Sequence, residues 1–156
     1  MTKSHGYAID LKWTGAVDGP TTDIRSYSRN YEYSAEGKKP VPCSADKVFR
    51  GDPGLYNPED GLVASLSGCH LLSYLAVCAL GKVEVVAYED HATGTLTQEG
   101  LTAQFTEVIL RPRVTISRSS DPAEAERLHE DAHHNCFVAR SVNFPVRVEP
   151  EIIVGS

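Results

Sequence analysis

The feature that most limits how this chain can fold is Asn57-Pro58-Glu59-Asp60 followed by a run, Leu62 to Leu80, that is almost wholly apolar or small. Asn57 is suited to cap the first free N–H groups of a helix, and Pro58 suits the first helical position. Glu59 and Asp60 oppose the positive end of the helix dipole. Gly81 follows as the expected stop. Ser65, Ser67, His70 and Ser73 interrupt the run, and no aromatic or basic flank marks a membrane interface. The reading is therefore a long central core helix, buried on most sides, and not a membrane span.

Other segments are arranged around this helix. Residues 5–14 and 24–34 alternate and carry aromatic and β-branched side chains, with turn formers from Gly15 to Pro20 between them. This predicts a hairpin. Residues 37–56, with Gly37, Pro40, Pro42, Gly51, Pro53 and Gly54, read as irregular chain with a short strand near 47–50. Residues 83–97 and 103–117 read as two long strands about a Gln98–Thr102 turn, and Pro112 predicts an edge position or a bulge. Asp121-Pro122-Ala123-Glu124 opens a second helix with a capping-box acid. On it Ala125, Leu128, Ala132 and Cys136 share a face. Residues 143–154 return to strand. The class is α+β with a mainly antiparallel sheet, in one domain spanning residues 1–156.

Fifteen Lys and Arg against twenty-one Asp and Glu give a net charge of −6. That balance disfavours nucleic acid or an anionic membrane as a partner. No basic-then-apolar leader is visible, and Cys43, Cys69, Cys78 and Cys136 are widely separated with no CxxC pair. A cytoplasmic protein with free or catalytic thiols is the expectation.

Two constellations could carry chemistry. Cys69, in Ser67-Gly68-Cys69-His70, lies mid-way along the first helix, and Cys136 lies late on the second. Both are on faces expected to be packed, so the two thiols can meet. Cys78 is nine residues beyond Cys69, on the opposite side of the helix, and reads as a small core hydrophobe. Cys43 sits in a Pro-flanked loop without a catalytic signal. The second constellation is His129-Glu130-Asp131-Ala132-His133, which satisfies the HExxH pattern of zinc hydrolases. No histidine follows His134 to supply a third ligand. The alternative for this segment is a polar helix face, or histidines that tune Cys136.

Asn57-Pro58-Glu59-Asp60-Gly61-Leu62 with Ala64-Ser65-Leu66-Ser67-Gly68-Cys69-His70 resembles the first cysteine signature of the OsmC/Ohr family. His133-His134-Asn135-Cys136, followed by Ser141-Val142-Asn143-Phe144-Pro145-Val146, resembles its second. The resemblance covers about residues 24–150. It implies an OsmC-like fold, an intertwined homodimer, and a thiol peroxidase that reduces organic hydroperoxides with a lipoyl-type dithiol as reductant and no metal, flavin or haem. By this resemblance Cys69 is the attacking cysteine, Cys136 the resolving one, and Glu59 the family's glutamate. Arg50 stands near the position of the family's arginine, with Arg29 as the alternative. Gly68 and His70 depart from the better-known branches, as does the histidine-rich lead into Cys136.

The chemistry is coherent with these residues. A thiolate attacks the peroxide, and an apolar helix opposes its formation, so a permanent cation is needed nearby. A buried arginine in turn needs an anion such as Glu59. Glu59 and Cys69 are ten residues apart, about 15 Å along one helix. The Arg–Glu pair serving one Cys69 is accordingly expected from the partner subunit. Leu71, Leu72, Tyr74, Phe137 and Phe144 are candidates for an apolar collar. A zinc-dependent hydrolase and a non-catalytic protein binding a small apolar ligand are the competing readings.

Overall fold

The computed structural model describes residues 1–155. The chain forms two compact units, Met1–Gly61 and Leu62–Ser156.

In the first unit three short strands make an antiparallel sheet in the order β1 (Asp10–Trp13), β2 (Tyr31–Ser34), β3 (Val41–Cys43). The expected hairpin forms, with Asp10 opposite Ser34 and Trp13 opposite Tyr31. Its strands are shorter than predicted: the first begins at Asp10 and the second at Tyr31, and a 3-10 turn at Thr14–Asp18 opens the loop between them. Trp13 closes that loop by donating from its indole to the Ser28 carbonyl at 2.8 Å. The strand expected near 47–50 is absent. Lys47–Phe49 is a 3-10 turn instead, capped by Asp46, whose carboxylate accepts from the Val48 N–H at 2.8 Å. Local side-chain bonding of this kind outcompetes a ladder that has no partner strand. Cys43 is likewise in a strand and not a loop; it is buried, and it bridges to Tyr56.

Helix α1 runs from Pro58 to Leu80, as the sequence predicts. Its start is a reciprocal box. Asn57 Oδ1 accepts from the Asp60 N–H at 2.8 Å, and the Asp60 carboxylate accepts from the Asn57 N–H at 3.3 Å. Its end is where the sequence predicts, with Gly81 directly after Leu80. The left-handed residue is Lys82, at φ 58°, not Gly81. Gly81 serves a close approach, since a Cβ there would stand 3.1 Å from Leu128 Cδ1.

In the second unit, the two long strands are each broken once. They become β4 (Val85–Asp90), β5 (Thr93–Glu99), β6 (Thr102–Leu110) and β7 (Pro112–Ile116). β4 pairs with β7, and β5 with β6, so one long ribbon is shared between two sheets. Pro112 is neither at an edge nor in a bulge. It is the first residue of a central strand, a position where no ladder N–H is lost. The final segment also splits, into β8 (Val146–Val148) and β9 (Glu151–Val154). These add in parallel to β6 and β7. The result is two mixed three-stranded sheets, β4-β7-β9 and β5-β6-β8. The architecture is α+β, as expected.

Helix α2 (Pro122–Asn135) is capped by Asp121, which accepts from the Ala123 N–H at 3.0 Å. The box predicted from Glu124 does not close, because Glu124 is drawn to Arg127 at 2.8 Å. Ala125, Leu128 and Ala132 are buried as predicted, while Cys136 caps the helix from just beyond its last turn.

The core has two parts. Leu66 packs with Val108 and Leu110 of β6. Tyr74 and Cys78 pack with Val114 and Ile116 of β7 and with Ala125, Leu128 and Ala132 of α2. The first half of α1 thus serves one sheet and the second half the other. Its buried residues are Leu66, His70, Tyr74 and Cys78, a single stripe at four-residue spacing. The expectation of burial on most sides is therefore corrected, since Leu72, Leu75 and Leu80 are exposed in the single chain. The helix is long and apolar enough to cross a membrane, with a mean hydropathy of 1.7, but its buried stripe is spent on sheet and helix partners within this chain.

Candidate active site

The buried stripe of α1 meets α2 along an antiparallel seam, and polar side chains fill it. Near one end Tyr74 donates to the Ala125 carbonyl at 2.9 Å, with the Cys78 thiol beside its hydroxyl. One turn nearer the start of α1, His70 Nε2 and His129 Nδ1 are 3.0 Å apart. The His129 ring also stacks on Tyr74 with centroids 3.8 Å apart. At the other end, Cys69 and Cys136 stand side by side as free thiols. The antiparallel course explains the meeting: each step forward on α1 faces a step backward on α2.

The two thiols differ in setting. Cys69 is half-buried, whereas Cys136 is 1% exposed. Burial pushes the Cys136 thiol up to about 11, and the neighbouring Cys69 adds to the shift. The backbone N–H groups of Ala139 and Val138 oppose it. Cys78 is the core hydrophobe the sequence predicts, 1% exposed and raised by burial.

Both imidazoles of the seam are held neutral. Burial and then the field of His133 lower His70 to about 4, against a pull from Asp90. Burial and then His70 lower His129 to about 3. Three buried ring nitrogens have no hydrogen-bond partner among the described residues: His70 Nδ1, His129 Nε2 and His133 Nδ1.

Asp90 anchors the turn that carries Cys69. Its carboxylate accepts from the Ser67 hydroxyl at 2.5 Å and from the Arg111 N–H at 2.6 Å. It stands where the ribbon passes from one sheet to the other, opposite Pro112. Sequence reasoning gave Asp90 no role, nor did it foresee the His70–His129 contact. The only available signal was a histidine at a core position of each helix.

Arg50, Arg29 and Glu59 belong to the first unit, and no pair among them forms there. Arg50 is exposed, with a left-handed backbone at φ 67°. Arg29 donates to the Tyr27 and Ile24 carbonyls and lies over the Tyr27 ring, 3.9 Å from its centroid. Glu59 is half-buried. Burial, then Cys43, Tyr33 and Glu59, raise the Tyr31 hydroxyl, which puts Tyr31 beside the glutamate.

The HExxH segment does not assemble a metal centre. His129 turns into the seam, and no three His, Cys, Asp or Glu side chains among the described residues are grouped to hold an ion. The apolar collar is also smaller than expected. Tyr74 is wholly buried in the seam, and Phe144 packs on Phe105 with centroids 5.6 Å apart. Leu72 and Phe137 remain exposed.

The family described as OsmC-like protein matches residues 51–151. An OsmC-like protein of unknown function from Vibrio cholerae is 31% identical, with a TM-score of 0.85 over 94% of this chain and 99% of that one. An organic hydroperoxide resistance protein from Legionella pneumophila is 18% identical, with a TM-score of 0.67 over 96% of this chain and 99% of that one. Another, from Elizabethkingia anophelis, is 19% identical, with a TM-score of 0.68 over 98% and 100%. No protein of curated function matches the chain.

Proposed function

The chain belongs to the OsmC-like family, and from that premise we propose that it is a two-cysteine thiol peroxidase acting on organic hydroperoxides. The observation that carries this reading is the side-by-side placement of the Cys69 and Cys136 thiols at one end of the helix seam. Two solved structures of the same fold are named as organic hydroperoxide resistance proteins, which supports the substrate class.

The cycle has three steps. The Cys69 thiolate attacks the peroxide, breaking the O–O bond, releasing the alcohol and leaving a sulfenic acid. Cys136 then displaces the sulfenic oxygen as water and closes a disulfide. An external dithiol of lipoyl type reduces that disulfide by exchange. Cys69, the more accessible thiol, is the attacking one; Cys136, buried and reluctant to ionise, is the resolving one. A reducing cytoplasm would keep all four thiols ready.

Activation of Cys69 is assigned to Arg50 with Glu59, delivered by the partner of a homodimer. The unpaired state of both in a single chain and the exposed leucines of α1 fit that assembly. The test is one equivalent of cumene hydroperoxide followed by mass spectrometry. A Cys69–Cys136 disulfide, and steady consumption of peroxide with dihydrolipoamide, are the expected results. Loss of neither thiol under these conditions overturns the reading.

A further inference from the structure

We propose that Asp46 is a positioning residue for the activation of Cys69: it closes the turn that holds Arg50 in a left-handed backbone and presents its guanidinium. This rests on the assignment of Arg50 made above and adds to it the residue that sets the arginine's conformation.

The turn runs from Asp46 to Gly51, and its hydrogen bonds converge on its first residue. The Asp46 carboxylate accepts from the Val48 N–H at 2.8 Å, and the Asp46 carbonyl accepts from the Phe49 and Gly51 N–H groups, each at 2.9 Å. The Arg50 N–H donates to the Lys47 carbonyl at 3.0 Å. The Gly51 bond encloses the Arg50 bond, which is the closure that ends many helices, and it calls for a left-handed residue where Arg50 stands.

Glycine is the usual occupant, because it takes that conformation without steric cost. Here the glycine is one residue late. A Cβ on Gly51 would stand 1.6 Å from the Ala45 carbonyl oxygen, so Gly51 is needed where it is. The left-handed strain, at φ 67°, falls on the arginine. Strain of this kind persists only where its surroundings impose it. The Arg50 residue is exposed, so the constraint comes from the turn, and the turn is capped by the Asp46 carboxylate.

The same framework carries the glutamate. Ser44 is wholly buried; its hydroxyl accepts from the Asp52 N–H at 3.0 Å, and its own N–H donates to the Tyr56 carbonyl at 2.9 Å. The loop just past Arg50 is thereby tied to the residue before Asn57, which caps the helix of Glu59. Arg29 has no such seat, since its guanidinium is taken up by the Tyr27 and Ile24 carbonyls. The capping role of Asp46 needs an acceptor oxygen and not a charge. Asn caps a helical turn as well as Asp does, and Ala does not.

The experiment follows the pH dependence of Cys69 alkylation by iodoacetamide, read by peptide mass spectrometry, together with turnover of cumene hydroperoxide with dihydrolipoamide. In Asp46→Ala, labelling of Cys69 moves up by about one pH unit and turnover falls by at least about tenfold, with far-UV circular dichroism unchanged. Asp46→Asn restores both. In an Arg50→Ala background, Asp46→Ala shifts the labelling no further, because the two act through one guanidinium. Arg50→Gly relieves the backbone, so its urea midpoint lies above that of Arg50→Ala, while both variants lose turnover. Native labelling and turnover in Asp46→Ala, or failure of Asp46→Asn to restore them, overturns the proposal. Equal urea midpoints for Arg50→Gly and Arg50→Ala overturn it as well, and that comparison stands even where Asp46→Ala does not fold. If Arg50→Ala itself leaves the Cys69 profile in place, the assignment of Arg50 is what fails, and this proposal goes with it.

Discussion

At the scale of the residue, Cys69 and Cys136 are neighbours made chemically unequal by their surroundings. Iodoacetamide at neutral pH is expected to label Cys69 well before Cys136 or Cys78, both only 1% exposed and both raised by burial. Peptide mass spectrometry over a time course reads this order; equal labelling of all three would contradict it. The His70–His129 pair gives a second prediction. Both imidazoles are lowered in the fold, to about 4 and about 3, so they stay neutral where an unfolded histidine takes a proton. Below about pH 6.5 the unfolded chain binds more protons, and stability falls as pH drops toward 4. The loss is on the order of a few kcal/mol. Urea midpoints measured from pH 7.5 to 4 are expected to fall, and a His70→Leu, His129→Leu double variant is expected to flatten the slope. The two cysteine motifs were legible in the sequence because their spacing is local. The histidine contact was not, because it joins positions 59 residues apart through the antiparallel course of two helices.

At the scale of the element, local chemistry explains both what was readable and what was not. Both helix starts were legible, since Asn57 and Asp121 act within one turn. Asp121→Ala is expected to cost about 1 kcal/mol, read from denaturant unfolding. The stop of α1 after Leu80 was legible in Gly81, but the left-handed residue was not, because Gly81 is packed close against Leu128 and the positive φ falls one residue later. The left-handed strain falls on Lys82, so Lys82→Gly is expected to stabilise by about 0.5–1 kcal/mol. An unchanged or lower midpoint would count against that assignment. The breaks in the long strands were hidden for a different reason. Alternation continues through His91-Ala92 and Arg111, and only the demands of two separate sheets interrupt the ladder there.

At the scale of the whole molecule, the α+β class followed from element order, but the parallel addition of β8 and β9 did not. Strand pairing over such separations leaves no local trace. The exposed leucines of α1 carry the assembly prediction. Leu72, 70% exposed, and Leu75 belong under a partner if the homodimer forms. Leu72→Glu with Leu75→Glu is expected to shift sedimentation toward the monomer and to abolish peroxide turnover while leaving far-UV circular dichroism unchanged. A native chain that sediments as a monomer yet turns over peroxide would remove the need for a borrowed arginine.

The Asp90 carboxylate adds a last consequence at this scale. One oxygen holds the backbone at the ribbon's corner and the other holds the hydroxyl two residues before Cys69. The thiol is thereby surveyed from the sheet corner, and not only from the axis of its own helix. Whatever flexes that corner, whether heat, a bulky guest or a seated subunit, steers the sulfur with it, as a rudder follows its tiller.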